Sequence, residues 1–217
     1  MSAELADARG SERSRPVRVT GHPYIMEHII RPILADFTAR NPQTSIEVVP
    51  YTSEVMRERE TMTRSDIAFV TVDSVDEVGV EMLRPMKYGL IVSAGHPLAR
   101  RARVTPQDIG SLPFILPLAG TMFEQKVLQM LSSVGCDTVV AAARAQQADI
   151  IKDLVLKGVG IAHLPLDIVG AELASGLVHV LPIELPDLYL GQIAGARAMT
   201  SARARSLLSF ARTVFSG

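Results

Sequence analysis

The sequence predicts an α/β fold with two Rossmann-like lobes, each built on a mostly parallel central sheet. Strand-like apolar runs alternate with segments of helical periodicity, which is typical of strand–helix–strand units. The same alternation restarts after Gly95-His96-Pro97-Leu98. The chain has 217 residues, of which 47% are hydrophobic and 21% charged. That length suits either one globular domain or two small lobes that share a cleft.

The first part of the chain predicts five strands and two helices. Ile25, Ile29 and Phe37 recur at helical spacing, and Pro32 within that helix predicts a kink or a late helix start. Thr52 or Ser53 is expected to cap a second, polar helix. The predicted strands are Val17–Thr20, Ser45–Tyr51, Ile67–Val70, Val80–Leu83 and Tyr88–Ser93.

The second part repeats the pattern and closes with a long helix. Thr121 and Glu124 have the spacing of a capping box that opens a helix to about Ser133. Gly158 is the expected stop of a helix from Ala148 to Lys157. Further strands are predicted at Phe114–Leu116, Thr138–Ala143, Gly160–Leu164, Leu177–Leu181 and Tyr189–Ala194, and further helices at Leu166–Ser175 and Ser201–Phe215.

These elements divide the chain into a tail and two lobes. Residues 1–16 are polar and predict a tail or the end of a truncated helix. Residues 17–92 and 192–217 form the predicted first lobe, and residues 93–191 the second. The last helix thus returns to the first lobe, and two strands near residues 93 and 191 form the hinge.

Composition excludes several classes of function. Lys and Arg number 22 against 23 Asp and Glu, a net charge of −1, so direct DNA binding by this segment is not expected. A single cysteine, Cys136, excludes an internal disulfide and fits a reducing compartment. We find no apolar run of membrane-spanning length and no signal peptide in the sequence. No catalytic, dinucleotide or metal-binding motif is present, so we predict no catalytic residues, no cofactor and no metal site.

Polar residues at strand ends and helix starts predict a small-solute site. His22 and His163 each lie where a strand ends, the edge at which ligands collect in open α/β sheets, although each also fits an ordinary loop histidine. Helices starting near Pro23–Tyr24, Thr52-Ser53 and Thr121 favour small anions, although Thr and Ser there also serve as plain caps. An imidazolium at His22 or His163 would bind an anion more tightly at lower pH.

Several short sequence segments resemble those of the effector-binding domain of LysR-type transcriptional regulators. The resemblance covers about Val17–Phe215. Each segment alone is a weak indication of the family, but the segments together, in this order and at these intervals, are specific to it. They are Arg31-Pro32-Ile33-Leu34-Ala35-Asp36-Phe37 with Asn41-Pro42, Ser65-Asp66-Ile67-Ala68-Phe69, Gly95-His96-Pro97-Leu98-Ala99, Asp108-Ile109 ahead of Leu112-Pro113-Phe114-Ile115, Asp149-Ile150-Ile151-Lys152, and Lys157-Gly158-Val159-Gly160-Ile161-Ala162 with Pro165.

The resemblance implies a type-2 periplasmic-binding-protein fold with an effector cleft between the lobes. Family effector contacts carried onto this chain are Gly21, His22, Pro23, Tyr24, Thr52, Ser53, Leu118 to Thr121, and Gln146. We add His163, which stands where the family commonly has an aliphatic residue. The first loop also departs from the family, because His22 or Pro23 replaces its usual Ser or Thr.

The resemblance also implies partners. We expect a small anionic organic effector, a homodimer (a tetramer at full length), and promoter DNA contacted only through an absent winged helix-turn-helix. It implies a cytoplasmic regulator that is not an enzyme and has no membrane partner. The alternative is a solute-binding protein of a transport system with the same fold.

Overall fold

A computed structural model describes residues 15–49 and 65–216, with the side chain of Met122 left out. The chain folds as two compact α/β units. One takes in the described residues up to Pro85 together with those from Tyr189 onward, and the other is Met86–Leu188. The chain passes between the units at Pro85–Met86 and at Leu188–Tyr189, seven and three residues before the predicted boundaries.

The first unit contains a mixed five-stranded sheet. Its strand order is β2-β1-β3-β10-β4. β1 pairs in parallel with β2 and β3, whereas β10 runs antiparallel to β3. The strands are β1 (Val17–Gly21), β2 (Ile46–Val48), β3 (Ile67–Val72), β4 (Glu81–Met86) and β10 (Leu188–Ala194).

The helix after β1 changes its winding. Ile25–Ile30 is π-helical and leads directly into α1, Arg31–Arg40. The amide of Arg31 bonds the carbonyl of Met26, five residues earlier. Pro32 falls in the first turn of α1. Helical winding already runs through residues 23–30, so the change from π-helical to α-helical winding stands where a late helix start or a kink was predicted. The last helix, α6 (Ala202–Ser216), packs on this unit.

The second unit contains a second mixed sheet, of order β7-β6-β8-β5-β9. β6 is parallel to β7 and β8, and β5 is antiparallel to β8 and β9. The predicted parallel strands are therefore present in both units, and antiparallel neighbours complete each sheet. The strands are β5 (Tyr88–Ser93), β6 (Pro113–Leu116), β7 (Val140–Arg144), β8 (Ile161–Pro165) and β9 (Val178–Val180).

Four helices belong to the second unit: α2 (Pro106–Gly110), α3 (Met122–Ser133), α4 (Ala148–Leu156) and α5 (Gly170–Ala174). One apolar cluster joins Leu90, Phe114 and Ile161 of three adjacent strands to Leu131 of α3. Cys136 is buried in this cluster, and burial raises the pKa of its thiol, so its thiolate is not favoured.

Some predicted elements differ from the structure. The short helix α2 was not predicted, and helix is confined to Gly170–Ala174 where Leu166–Ser175 was expected. Gly158 does end α4, with a φ of +74° that glycine adopts without strain. Thr52, Ser53 and most of the predicted tail lie outside the described residues. None of the described helices is long and apolar enough to cross a membrane.

Candidate functional site

The carboxyl ends of three parallel strands of the first unit meet at one sheet edge, and the predicted residues Gly21 to Tyr24 lie there. Gly21 pairs with Phe69 on β3. A Cβ at Gly21 would lie 2.8 Å from the Phe69 carbonyl oxygen and 2.9 Å from Sδ of Met26. The backbone therefore approaches β3 so closely at this edge that only glycine fits without a shift.

His22 and Tyr24 form an aromatic pair at this edge. Their ring centroids are 4.6 Å apart in an edge-on arrangement, and the two residues are 7% and 8% exposed. Burial lowers the pKa of His22 to about 3, because a charged ring would lose its hydration. His22 is therefore neutral near pH 7, which argues against the imidazolium role that the sequence suggested for it.

In the second unit, the loop that follows β6 carries Leu118 and Thr121. Thr121 caps α3, accepting the Glu124 amide at 3.2 Å, as the capping-box spacing predicted. Its hydroxyl also donates to the Leu118 carbonyl at 2.7 Å. The Thr121 hydroxyl proton is thus already used within the loop. The Leu118 side chain is 41% exposed.

Glu124 and Arg144 hold this loop from two sides. Glu124 accepts the amide of Gly120 at 2.6 Å, whereas a standard capping box would have it accept the amide of Thr121. Arg144, the last residue of β7, pairs with Glu124 and donates to the Pro117 carbonyl at 3.0 Å. The Gly120 amide and the Arg144 guanidinium lower the pKa of Glu124, so it stays ionised. Arg144 was not predicted from the sequence.

His163 lies on β8 beside the start of the same loop. The pairing of Ile115 with Ala162 places the next residues, Leu116 and His163, side by side on neighbouring strands. The His163 ring stacks on Tyr88 with centroids 4.9 Å apart. Burial lowers the pKa of His163 to about 4, so this ring is also neutral near pH 7. Gln146 is exposed in the turn between β7 and α4, at the same edge.

The structure therefore brings Leu118, Thr121, Gln146 and His163 to one edge of the second sheet. It brings Gly21, His22, Pro23 and Tyr24 to one edge of the first sheet. Arg144 and Tyr88 are residues that sequence reasoning missed. An arginine that ends a strand and a tyrosine that begins one give no local motif, and only strand pairing places them at this edge.

Comparison with known proteins identifies the family. Residues 10–216 match the family described as the LysR substrate binding domain. The chain belongs to this family. Among curated relatives of this LysR substrate-binding domain is the HTH-type transcriptional regulator CbbR of Cereibacter sphaeroides, 33% identical over 113 residues. That match covers 50% of this chain but 36% of CbbR, so the LysR substrate-binding domain spans well under half of that relative.

Two solved structures show the same fold. The regulatory domain of Synechocystis PCC6803 CcmR, in complex with 2-PG, has a TM-score of 0.77 at 18% identity, covering 92% of this chain and 97% of that one. The effector-binding domain of QuiR, in complex with shikimate, has a TM-score of 0.68 at 16% identity, covering 93% and 97%. The two-unit α/β architecture of this LysR substrate-binding domain is thus that of known effector-binding domains.

Proposed function

We propose that this LysR substrate-binding domain senses a small organic anion as the effector of a transcriptional regulator. The observation that carries the proposal is the edge of the second sheet, where loop 117–121, Gln146 and His163 meet. Ligands of open α/β sheets bind at such edges. Membership of the LysR family supports the regulatory role, and the ligands of the two structural neighbours, 2-PG and shikimate, support a small organic effector.

The sensing step needs an effector with different affinities for two conformations of the domain. Such an effector shifts their populations in favour of the conformation that it binds better. In the whole regulator that shift would reach the DNA-binding domain. The predicted closure of a cleft between the lobes stays a prediction.

The rest of the regulator follows as part of the same proposal. CbbR is named as an HTH-type regulator, which supports a winged helix-turn-helix that contacts promoter DNA in the full protein. The proposal also includes a homodimer of this domain, a tetramer of the full-length regulator, and a cytoplasmic location. The domain itself is proposed to bind its effector without chemical conversion. The alternative of a transport solute-binding protein loses its support because the family is regulatory.

A thermal-shift screen tests the proposal. Small organic acids, including shikimate and 2-PG, are added to the chain at pH 6 and pH 8. A compound at a hundred times its Kd should raise the free energy of unfolding by about 2.7 kcal/mol. The shift should be similar at both pH values, because His22 and His163 are neutral at both.

Two amide variants locate the binding. Gln146→Ala should reduce the shift, because Gln146 is exposed beside loop 117–121. Gln107→Ala is the matched control, an exposed glutamine in α2, which precedes the amino end of β6. Equal loss in both variants would contradict the location, and no stabilising compound in the screen would contradict effector sensing.

A further inference from the structure

Arg144 stands at the edge of the second sheet where the candidate effector loop begins. It is the last residue of β7, and its strand partner is Leu116, the last residue of β6. Loop 117–121 starts at the next residue. The Arg144 guanidinium lies against this loop, because Nη1 donates to the Pro117 carbonyl oxygen at 3.0 Å.

Within the described residues, the protein contacts of the Arg144 guanidinium use one of its three nitrogens. Both protein contacts of Arg144 use Nη1, to Pro117 O and to Oε1 of Glu124. Within residues 15–49 and 65–216, no protein atom accepts a hydrogen bond from its Nε or Nη2. The side chain is 35% exposed, so solvent and solutes reach it. Nε and Nη2 together form the fork that binds carboxylate and phosphate oxygens in pairs.

Glu124 orients this fork. It is 9% exposed, and its two oxygens are divided between the Gly120 amide and Arg144. Because Glu124 is anchored at the loop backbone, it fixes one side of the guanidinium. A charged group that is oriented before binding loses less rotamer freedom when a ligand arrives.

We propose that Arg144 is the anion-binding residue of the effector site and that the effector carries a carboxylate or phosphate group held by Nε and Nη2. Glu124 is a positioning residue that acts through Arg144. This inference rests on the proposed function and names the chemical class of effector that the second unit takes.

The same unit contains a matched arginine pair away from this edge. Arg101 pairs with Asp108 at 2.9 Å, and Asp108 completes the capping box of α2 with Thr105. Helix α2 leads into the amino end of β6, whereas the candidate site lies at the carboxyl end of β6. The Arg101–Asp108 pair is therefore placed near the end of β6 that is away from the candidate site. An Arg101→Gln variant therefore also removes an arginine from a helix-capping carboxylate, but not at the candidate site.

The test follows the Nε–H NMR signals of the arginines while shikimate, methyl shikimate or inorganic phosphate is added. The Arg144 signal is assigned from its loss in Arg144→Lys. Shikimate or phosphate should shift it, and the uncharged methyl ester should not. A response to shikimate alone assigns a carboxylate ligand, and a response to phosphate alone assigns a phosphate ligand.

Variants separate binding from folding. Arg144→Gln should weaken binding of the responding anion about tenfold or more, because a charge-assisted pair of hydrogen bonds is lost. Arg144→Lys should retain part of the affinity, and Arg101→Gln should retain all of it. Glu124→Gln should weaken binding less than Arg144→Gln does, because it loosens the orientation of the guanidinium but leaves the positive charge of Arg144 in place.

Three results would overturn the inference: no shift of the Arg144 signal with either anion, equal binding of shikimate and its methyl ester, or equal weakening by Arg144→Gln and Glu124→Gln. Equal weakening by the two variants would assign the Arg144–Glu124 ion pair a purely structural role. The proposed function stands if other compounds still stabilise the domain in the thermal screen, and it fails as well if none does.

Discussion

Individual residues in this domain owe their chemistry to the backbone around them. His22 carries a ring that would be half-protonated near pH 6.5 in an unfolded chain, yet its position at the end of β1 keeps it neutral to a pH of about 3. Thr121 carries a hydroxyl that suits ligand binding, yet that hydroxyl is engaged with Leu118 and Glu124. Residue type alone therefore says little about what a side chain offers a ligand.

Because His22 is buried in its neutral form, we expect the stability of the domain to fall at acidic pH. Between pH 6.5 and about 3, the unfolded chain binds a proton at His22 that the folded chain does not. The free energy of unfolding should therefore fall as the pH falls, by about 2 kcal/mol from this residue at pH 5 relative to pH 7. His163 acts in the same direction.

Urea unfolding at several pH values measures this dependence. His22→Asn should flatten the slope of stability against pH, whatever its effect on stability at pH 7. Equal urea m-values in the two proteins check that the extent of unfolding is unchanged. A slope in His22→Asn as steep as in the wild type would show that His22 is not the titrating group.

The cap of α3 gives a second prediction at this scale. Thr121→Ala removes the acceptor of the Glu124 amide and should lower the free energy of unfolding by about 1 kcal/mol. Thr121→Ser keeps the hydroxyl and should stay close to the wild type. Chemical unfolding compares them, and equal losses in both variants would assign the effect to the missing methyl group.

Local patterns in the sequence predicted part of the candidate site, and long-range strand pairing brings the other residues to it. The cap at Thr121 is visible because Thr121 and Glu124 are three residues apart. Arg144 lies twenty residues beyond Glu124 and on another element, so no local spacing indicates their contact. The neutral state of His163 likewise depends on strands β5 and β6, which are distant in sequence.

At the scale of elements, close backbone contacts decide where strands can pair. Gly160 precedes β8 beside the start of β6. A Cβ there would lie 2.4 Å from the Pro113 carbonyl oxygen and 3.0 Å from its carbon. Backbone atoms of a paired strand cannot move aside as a flexible side chain would, so this approach requires glycine.

Gly160→Ala should therefore be destabilising, by about 1–3 kcal/mol, through overpacking against β6. Gly170→Ala is the control: no atom lies within 4 Å of its built Cβ, at the first residue of α5. That variant should be neutral or slightly stabilising, because alanine restricts the unfolded chain. Thermal unfolding compares the two, and similar stabilities would contradict the steric account.

Most elements were predictable because their signals are local. Apolar β-branched runs located the ten strands of the described residues, and the spacing of Ile25, Ile29 and Phe37 located the helical winding after β1. The antiparallel neighbours were not predicted, because period and composition do not give strand direction. Helix α2 spans five residues, too few for a periodic apolar pattern to develop.

At the scale of the whole molecule, one unit is continuous and the other is assembled from two stretches. β10, from the end of the chain, lies between β3 and β4 in the first sheet. Gln192 on β10 is 1% exposed and donates to Glu81 of β4 and to the Leu208 carbonyl of α6. Glu81 also pairs with Arg212 of α6. The last two elements are therefore integral to the first sheet.

Fragments of the chain should show this difference. The polypeptide 86–188 contains every strand and helix of the second unit, so it should fold alone and unfold cooperatively. The polypeptide 1–85 lacks β10 and α6 and should fold only when 189–217 is added. Circular dichroism and NMR dispersion test both, and a cooperatively folded 1–85 fragment would contradict the assembly.

The position of β10 also bears on biosynthesis. A ribosome releases residues 86–188 before it has made the strand that completes the first sheet. The nascent first unit thus lacks β10, the strand that lies between β3 and β4. The surfaces of β3 and β4 that β10 covers stay exposed while translation continues, and chaperones have access to them during that interval. Premature stop codons at positions 189–202 should accordingly yield products that cellular proteases remove, even though loop 117–121, Arg144, Gln146 and His163 have all been synthesised.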